Sequence, residues 1–292
     1  MTLRDIGLAA LTSIIWGLAF VAIKLGLESF SPSQLTALRF IIACLPVIFL
    51  PRPRVKWSIL LLVGMTLFTG QFLLLFFAYT KGMPAGLASV TQQTQAFFTV
   101  LLAAIFLRDI PSFRQTIGML VAFAGVALIG FTTGSDLTIL GLGLALASAL
   151  SWAVGNILLK RIGPVPMLPL MAWLSLVPPL PALLVSALHD DPWSLASAAA
   201  HASWMSIAAA IYLGAIATTL AYAIWGSLLA RYRTAAVAPF ALLAPCVGVI
   251  ASSVIFGESF GPIRYSGMVL VLIGLAVIVL PATSLRPRTR RP

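Results

Sequence analysis

Five consecutive polar residues, Thr91-Gln92-Gln93-Thr94-Gln95, interrupt an otherwise apolar run between Pro84 and Leu107. Polar side chains among aliphatic ones are costly unless they meet a partner or line a wet cavity. Glutamine offers a carbonyl that accepts and an amide that donates, so a set of them can hold a zwitterion without selecting a net charge. Consecutive residues point all round a helix, so only two or three share one face. Gln92 and Gln95, three apart, form the expected cavity pair, and Gln93 is a weaker candidate. Hydrogen bonding to neighbouring helices is the competing explanation for the same side chains.

Other spacings add aromatic and polar groups to this set. Gln71 and Tyr79 are eight residues apart, about two helical turns, and so lie near one face. Trp16, Phe20 and Lys24 follow an i, i+4, i+8 line, as do Trp152, Asn156 and Lys160; Tyr222 and Trp225 are three apart. Large aromatic rings lining a pocket favour apolar or aromatic ligand groups by stacking and area burial. The candidate substrate-binding residues are therefore Trp16, Phe20, Lys24, Gln71, Tyr79, Gln92, Gln95, Trp152, Asn156, Tyr222 and Trp225. Ordinary packing competes equally for Trp16 and Trp152, and snorkelling to the headgroups is slightly favoured for Lys24. Trp57, Trp193 and Trp204 read instead as interfacial anchors.

Several chemistries are excluded. His189 and His201 share one polar connection, and no two acids could meet within the apolar runs, so no catalytic set for an intramembrane enzyme is present. Cys44 and Cys246 lie in apolar runs without a CxxC or Cys/His cluster, so neither a metal nor a disulfide framework is expected. No phosphate-binding P-loop occurs, and no cofactor is implied. The formal net charge of +11 would suit nucleic acid, but the bases lie in short loops and at the C-terminus, so no nucleic-acid partner is expected. The expected partners are a small-molecule substrate and the lipid bilayer.

The elements that must position these groups are membrane helices. Of the 292 residues 61% are hydrophobic and 9% charged, against about 25% charged in soluble domains. Spans can be placed at 6–27, 34–50, 58–80, 84–107, 114–132, 137–159, 166–188, 203–229, 234–256 and 262–281. The first exceeds the core of a signal peptide and is read as an uncleaved span. Pro164, Pro166, Pro169, Pro178, Pro179 and Pro181 predict a kinked or broken seventh helix. The long connection from His189 to Ser203 is expected at the membrane surface. With the N-terminus cytoplasmic, only Lys24, Arg39, Lys81 and Arg264 of the 18 Lys and Arg fall outside. The other bases, including Arg233 and the tail residues Arg286, Arg288, Arg290 and Arg291, fall inside, so both termini are placed in the cytoplasm. Lys24 and Lys81 lie near span ends, and the middle of the membrane is expected to be uncharged.

An internal repeat organises the ten spans. Trp16 and Lys24 recur as Trp152 and Lys160 at an offset of 136, and Gly118-Met119 with Gly125 recurs as Gly267-Met268 with Gly274 at 149. Asp109 and Glu258 share the second offset. The fold class is thus all-α, a polytopic membrane protein of ten helices in two inverted five-helix repeats. The repeats are placed at 1–134 and 135–285, followed by a basic tail, 286–292. Five spans per half force opposite insertion, the arrangement from which alternating-access transporters are built. The small-residue spacing of spans 5 and 10 indicates close helix packing. The chain is expected as a monomer, or as a homodimer joined through those two spans.

These features resemble the drug/metabolite transporter superfamily, in its EamA branch. The resemblance rests on two five-helix repeats, each opening on a Trp-containing helix and closing with an acid followed by Gly-Met. The block from Gly82 to Gly130 and its repeat from Arg233 to Val279 carry it. The Trp, Tyr and Gln content of the spans resembles the YddG-type amino-acid exporters. The resemblance implies a secondary transporter of a bacterial inner membrane, exporting small neutral metabolites, with aromatic and other neutral amino acids favoured. A broad-specificity drug or toxic-metabolite exporter of the same fold is the alternative. Two departures bear on substrate. Trp16 and Gly17 stand where the related small multidrug-resistance proteins have a membrane-embedded Glu, and the Lys/Arg pairs that hold phosphates in sugar-phosphate relatives have no evident counterpart.

Overall fold

The structure is a computed structural model and describes residues 1–134, 136–163, 165–190, 194–232 and 234–280. Its ten long apolar helices are span 1 Leu3–Gly26, span 2 Pro32–Phe49, span 3 Trp57–Thr80, span 4 Ala85–Leu107, span 5 Phe113–Gly130, span 6 Ile139–Ile162, span 7 Met167–His189, span 8 Trp204–Arg231, span 9 Ala238–Phe256 and span 10 Pro262–Val279. No strand occurs among the described residues. Arg233, Trp193 and the basic tail lie outside them, as does Pro164.

Capping explains where several helices begin. Thr2 Oγ1 accepts from the Asp5 amide at 3.2 Å, so span 1 starts at Leu3, three residues earlier than hydropathy suggests. Ser31 and Gln34 form a reciprocal capping box that starts span 2 at Pro32, and Ser112 and Gln115 do the same for span 5. Span 7 breaks between Leu174 and Pro179, where consecutive prolines remove backbone donors. The connection after it carries a short helix, Ser194–His201. Asp190 Oδ2 accepts from Ser31, Ser33 and Ser186, tying this connection to the start of span 2. Burial pushes the Asp190 carboxyl up, but these three hydroxyls outweigh it and hold the group below its ordinary range.

Helix packing follows the repeat. Span 1 packs on spans 8 and 9, and span 6 on spans 3 and 4; span 2 meets span 7, and span 5 meets span 10. Exchanging 1 with 6, 3 with 8 and 4 with 9 maps this pattern onto itself. Both span 3 and span 8 contain a π-helical stretch, Gly64–Gly70 and Tyr212–Leu220. Thr69 donates to the Gly64 carbonyl and Thr218 to that of Leu213, each five residues back. Wide turns of this kind leave carbonyls free for side chains from elsewhere.

Spans 5 and 10 cross antiparallel through their glycines, with Gly118 beside Gly274 and Gly125 beside Gly267. A Cβ at Gly125 would lie 2.5 Å from the Gly267 carbonyl oxygen. The glycine faces expected to join two copies of the chain are therefore occupied within one chain, because helix axes this close leave no room for a third backbone.

Candidate substrate cavity

Eight spans converge on a central cavity of about 330 Å³. Nine sequence-derived candidates line it: Trp16, Phe20, Gln71, Gln92, Gln95, Trp152, Asn156, Tyr222 and Trp225. Trp16 packs its ring 5.5 Å from Tyr222 and 5.1 Å from Trp225, centroid to centroid, forming an aromatic wall between spans 1 and 8. Its indole Nε1 donates to the Ala217 carbonyl at 3.1 Å, within the π stretch of span 8. The π geometry thus holds the Trp16 ring in the cavity wall.

The polar wall comes from spans 4 and 6. Span 4 turns irregularly at Gln92 and Gln93, between helical segments ending at Thr91 and starting at Thr94. The turn splays the polar run, and Gln93 joins Gln92 and Gln95 in the lining. Gln95 Oε1 accepts from Asn156 Nδ2 at 2.9 Å. Gln92 Nε2 donates to Ser148 Oγ at 2.9 Å and faces the Ala145 carbonyl at 3.4 Å. The Ser148 hydroxyl itself donates to the Gln71 carbonyl, so Gln92 must present its amide nitrogen there. That fixes its orientation and leaves Gln92 Oε1 buried without a partner.

Lys24 and Tyr79 lie elsewhere. They line a second hollow with Asp136 and Glu258, where Lys24 Nζ meets Glu258 Oε1 at 2.9 Å. Lys24 therefore neither snorkels freely nor faces the central cavity. The Tyr79 hydroxyl donates to the Phe20 carbonyl at 3.1 Å, between the two hollows. Glu258 also accepts from the amides of Ala85 and Gly86 at the start of span 4. Burial pushes its carboxyl up, and the Lys24 ammonium with these two amides outweighs that, holding it below its ordinary range. The repeat-equivalent pair, Lys160 and Asp109, is looser at 3.9 Å, with side chains 53% and 68% exposed against 40% and 10% for Lys24 and Glu258.

The expectation of an uncharged membrane centre is overturned by Arg39. It is 4% exposed, in span 2, and lines the central cavity. Its Nε donates to Thr218 Oγ1 at 3.1 Å. The sequence signal was available: Arg39 is seven residues beyond Pro32, about 10 Å into the helix.

Comparison with known proteins agrees with this architecture. The model of the EamA-like transporter family matches residues 4–131 and again 139–280. A protein of Salmonella typhimurium named "Probable amino-acid metabolite efflux pump" is 40% identical, the match covering 96% of each chain. One of Escherichia coli K12 with the same name is 37% identical over the same shares. A "Probable terminal-alkyne amino-acid exporter" of Streptantibioticus cattleyicolor is 28% identical over 92% of this chain and 91% of its own. A solved crystal structure superposes with a TM-score of 0.64 at 21% identity, covering 93% of this chain and 95% of the other, and so shares the fold. With its two matched halves and ten membrane helices, the chain belongs to the EamA-like transporter family.

Proposed function

We propose that this transporter exports neutral and aromatic amino acids across a bacterial inner membrane by alternating access. The observation that carries the reading is the wall chemistry of the central cavity. Trp16, Trp152, Tyr222 and Trp225 offer aromatic surface for an apolar side chain, while Gln71, Gln92, Gln95 and Asn156 offer neutral donors and acceptors for a zwitterionic head. Lys24 and Tyr79 belong to the closure of the cavity rather than to its wall. The names of the Salmonella, Escherichia and Streptantibioticus relatives support the same substrate class. Both termini are cytoplasmic on the charge bias, with repeats at 1–134 and 135–285 and the tail 286–292 inside.

The two repeat-equivalent ion pairs supply the gating. Lys24 and Glu258 latch spans 1, 4 and 9 at one face, while Lys160 and Asp109 stand apart at the other. Exchanging the conformations of the halves tightens the second pair and opens the first. No Asp, Glu or His lies mid-span to carry a proton, so transport runs down the substrate gradient. Reconstituted protein should show counterflow of labelled neutral amino acids with no pH gradient, and cells expressing it should resist toxic amino-acid analogues rather than cationic dyes. Strict dependence on a pH gradient rejects the uncoupled reading; dye resistance alone points to a drug exporter.

A further inference from the structure

Arg39 is a cation without a counterion among the described residues. Among the described residues no carboxylate forms an ion pair with it, and its Nη1 is buried without a hydrogen-bond partner. Its guanidinium carbon lies 3.8 Å from the centroid of Phe72, another residue of the cavity wall. A guanidinium stacked on a ring keeps its N–H donors in its own plane, at its edge, where a carboxylate is received. The Nε–Thr218 bond orients that edge from the π stretch of span 8. Span 7, the counterpart of span 2 in the other repeat, has no charged residue from Met167 to Leu188. The duplicated scaffold therefore does not require this charge. A desolvated cation with no counterion among the described residues of a bundle is a binding element by default.

We propose that Arg39 is the carboxylate seat of the transporter, so that a substrate must carry a free carboxylate to occupy the cavity. The inference rests on the amino-acid reading above and refines it to one atom pair. Gln92 Oε1, the other unpartnered polar atom of the lining, then accepts from the substrate ammonium. The zwitterion supplies what each wall group lacks: an acceptor for Arg39 and a donor for Gln92. A lipophilic cation would meet an uncompensated positive charge, which places such compounds outside the substrate range.

The test is counterflow in proteoliposomes loaded with a mixture of neutral L-amino acids and supplied with the same mixture labelled. Competitors are the corresponding amino-acid amides, which keep the ammonium and lose the carboxylate. Wild-type protein should take up label, and the amides should compete at least tenfold less well than the free acids. Arg39→Gln should lose uptake by about 10- to 100-fold, the range for a hydrogen bond to a charged group, and should no longer discriminate acids from amides. Arg39→Lys should restore part of both. Because discrimination is also read on wild-type protein, misfolding of a variant does not shield the proposal. Equal competition by amides and acids on wild type, or unchanged discrimination in folded Arg39→Gln, overturns the carboxylate seat alone. No uptake of any neutral amino acid by wild type overturns the underlying reading and the seat with it.

Discussion

Replacing Glu258 by glutamine should open the cavity at the Lys24 face. Glu258 Oε1 accepts from Lys24 Nζ at 2.9 Å and from the Ala85 amide at 3.1 Å, and Oε2 from the Gly86 amide at 3.0 Å. Glutamine keeps the shape and one acceptor but loses the charge, and its NH₂ opposes an N–H donor at the start of span 4. Hydrogen bonds to a charged group are worth about 1.5–3 kcal/mol. Lys24 is 40% exposed, so solvent screening reduces its share, leaving about 1–2 kcal/mol for the set. That corresponds to a shift of about 5- to 30-fold in the equilibrium between the two access states. The assay uses Ala19→Cys, a buried cavity-lining position, in a Cys44→Ser, Cys246→Ser background. A membrane-impermeant thiol reagent applied from the Lys24 side should label the Glu258→Gln variant about tenfold faster. The repeat-equivalent Asp109→Asn change removes a pair that is stretched and exposed here and that tightens only in the opposite access state, so the labelling rate should stay level or fall, never rise. An unchanged rate in folded Glu258→Gln, or equal acceleration by Asp109→Asn, would refute the latch.

The same experiment has a definite pH dependence. The latched Glu258 carboxyl titrates below the ordinary value of 4.5. A carboxylate depressed in this way contributes fully above its ordinary value, and its contribution is lost as pH falls through the depressed one. Labelling should therefore be flat from neutral pH down to about 5 and accelerate only below that. Gln92→Leu should lower thermal stability by about 1 kcal/mol at most yet cut counterflow strongly; a bundle held together by Gln92 would show the reverse, lost stability with transport intact. Gly125→Val forces a side chain against the Gly267 carbonyl and should cost about 1–3 kcal/mol, read as a lowered unfolding temperature in detergent.

The ten spans and their duplication were legible because hydropathy, proline and the recurring Trp, Lys, acid and Gly-Met positions are local signals. The Gly faces of spans 5 and 10 were legible as contacts, though not as contacts with each other. Pairing of Lys24 with Glu258 joins residues 234 positions apart, and no spacing rule reaches across that separation. Hydropathy alone starts span 2 at residue 34 and so puts Arg39 near the helix end; the Ser31–Gln34 capping box moves that end outward. The π stretches left no hydropathy signal, since they depend on Thr69 and Thr218 reaching carbonyls five residues back. Without them the Trp16 contact to Ala217 could not be foreseen.

Duplication makes the scaffold symmetric, and a substrate is not. Trp16 and Trp152, related by the repeat, both line the cavity. At the offset of the second repeat motif, Gln92 and Gln95 correspond to Ala241 and Ala244, and all four of these also line it. Amides on span 4 thus have methyl groups as their repeat counterparts on span 9, so the duplicated lining is unequal in polarity. Arg39 adds a charge that span 7 does not match. Rocking one half against the other changes which face is closed but not which residues are polar. In the proposed cycle the same wall therefore holds the substrate in both access states, and the exchange of the two Lys–acid pairs decides the side from which it is reached.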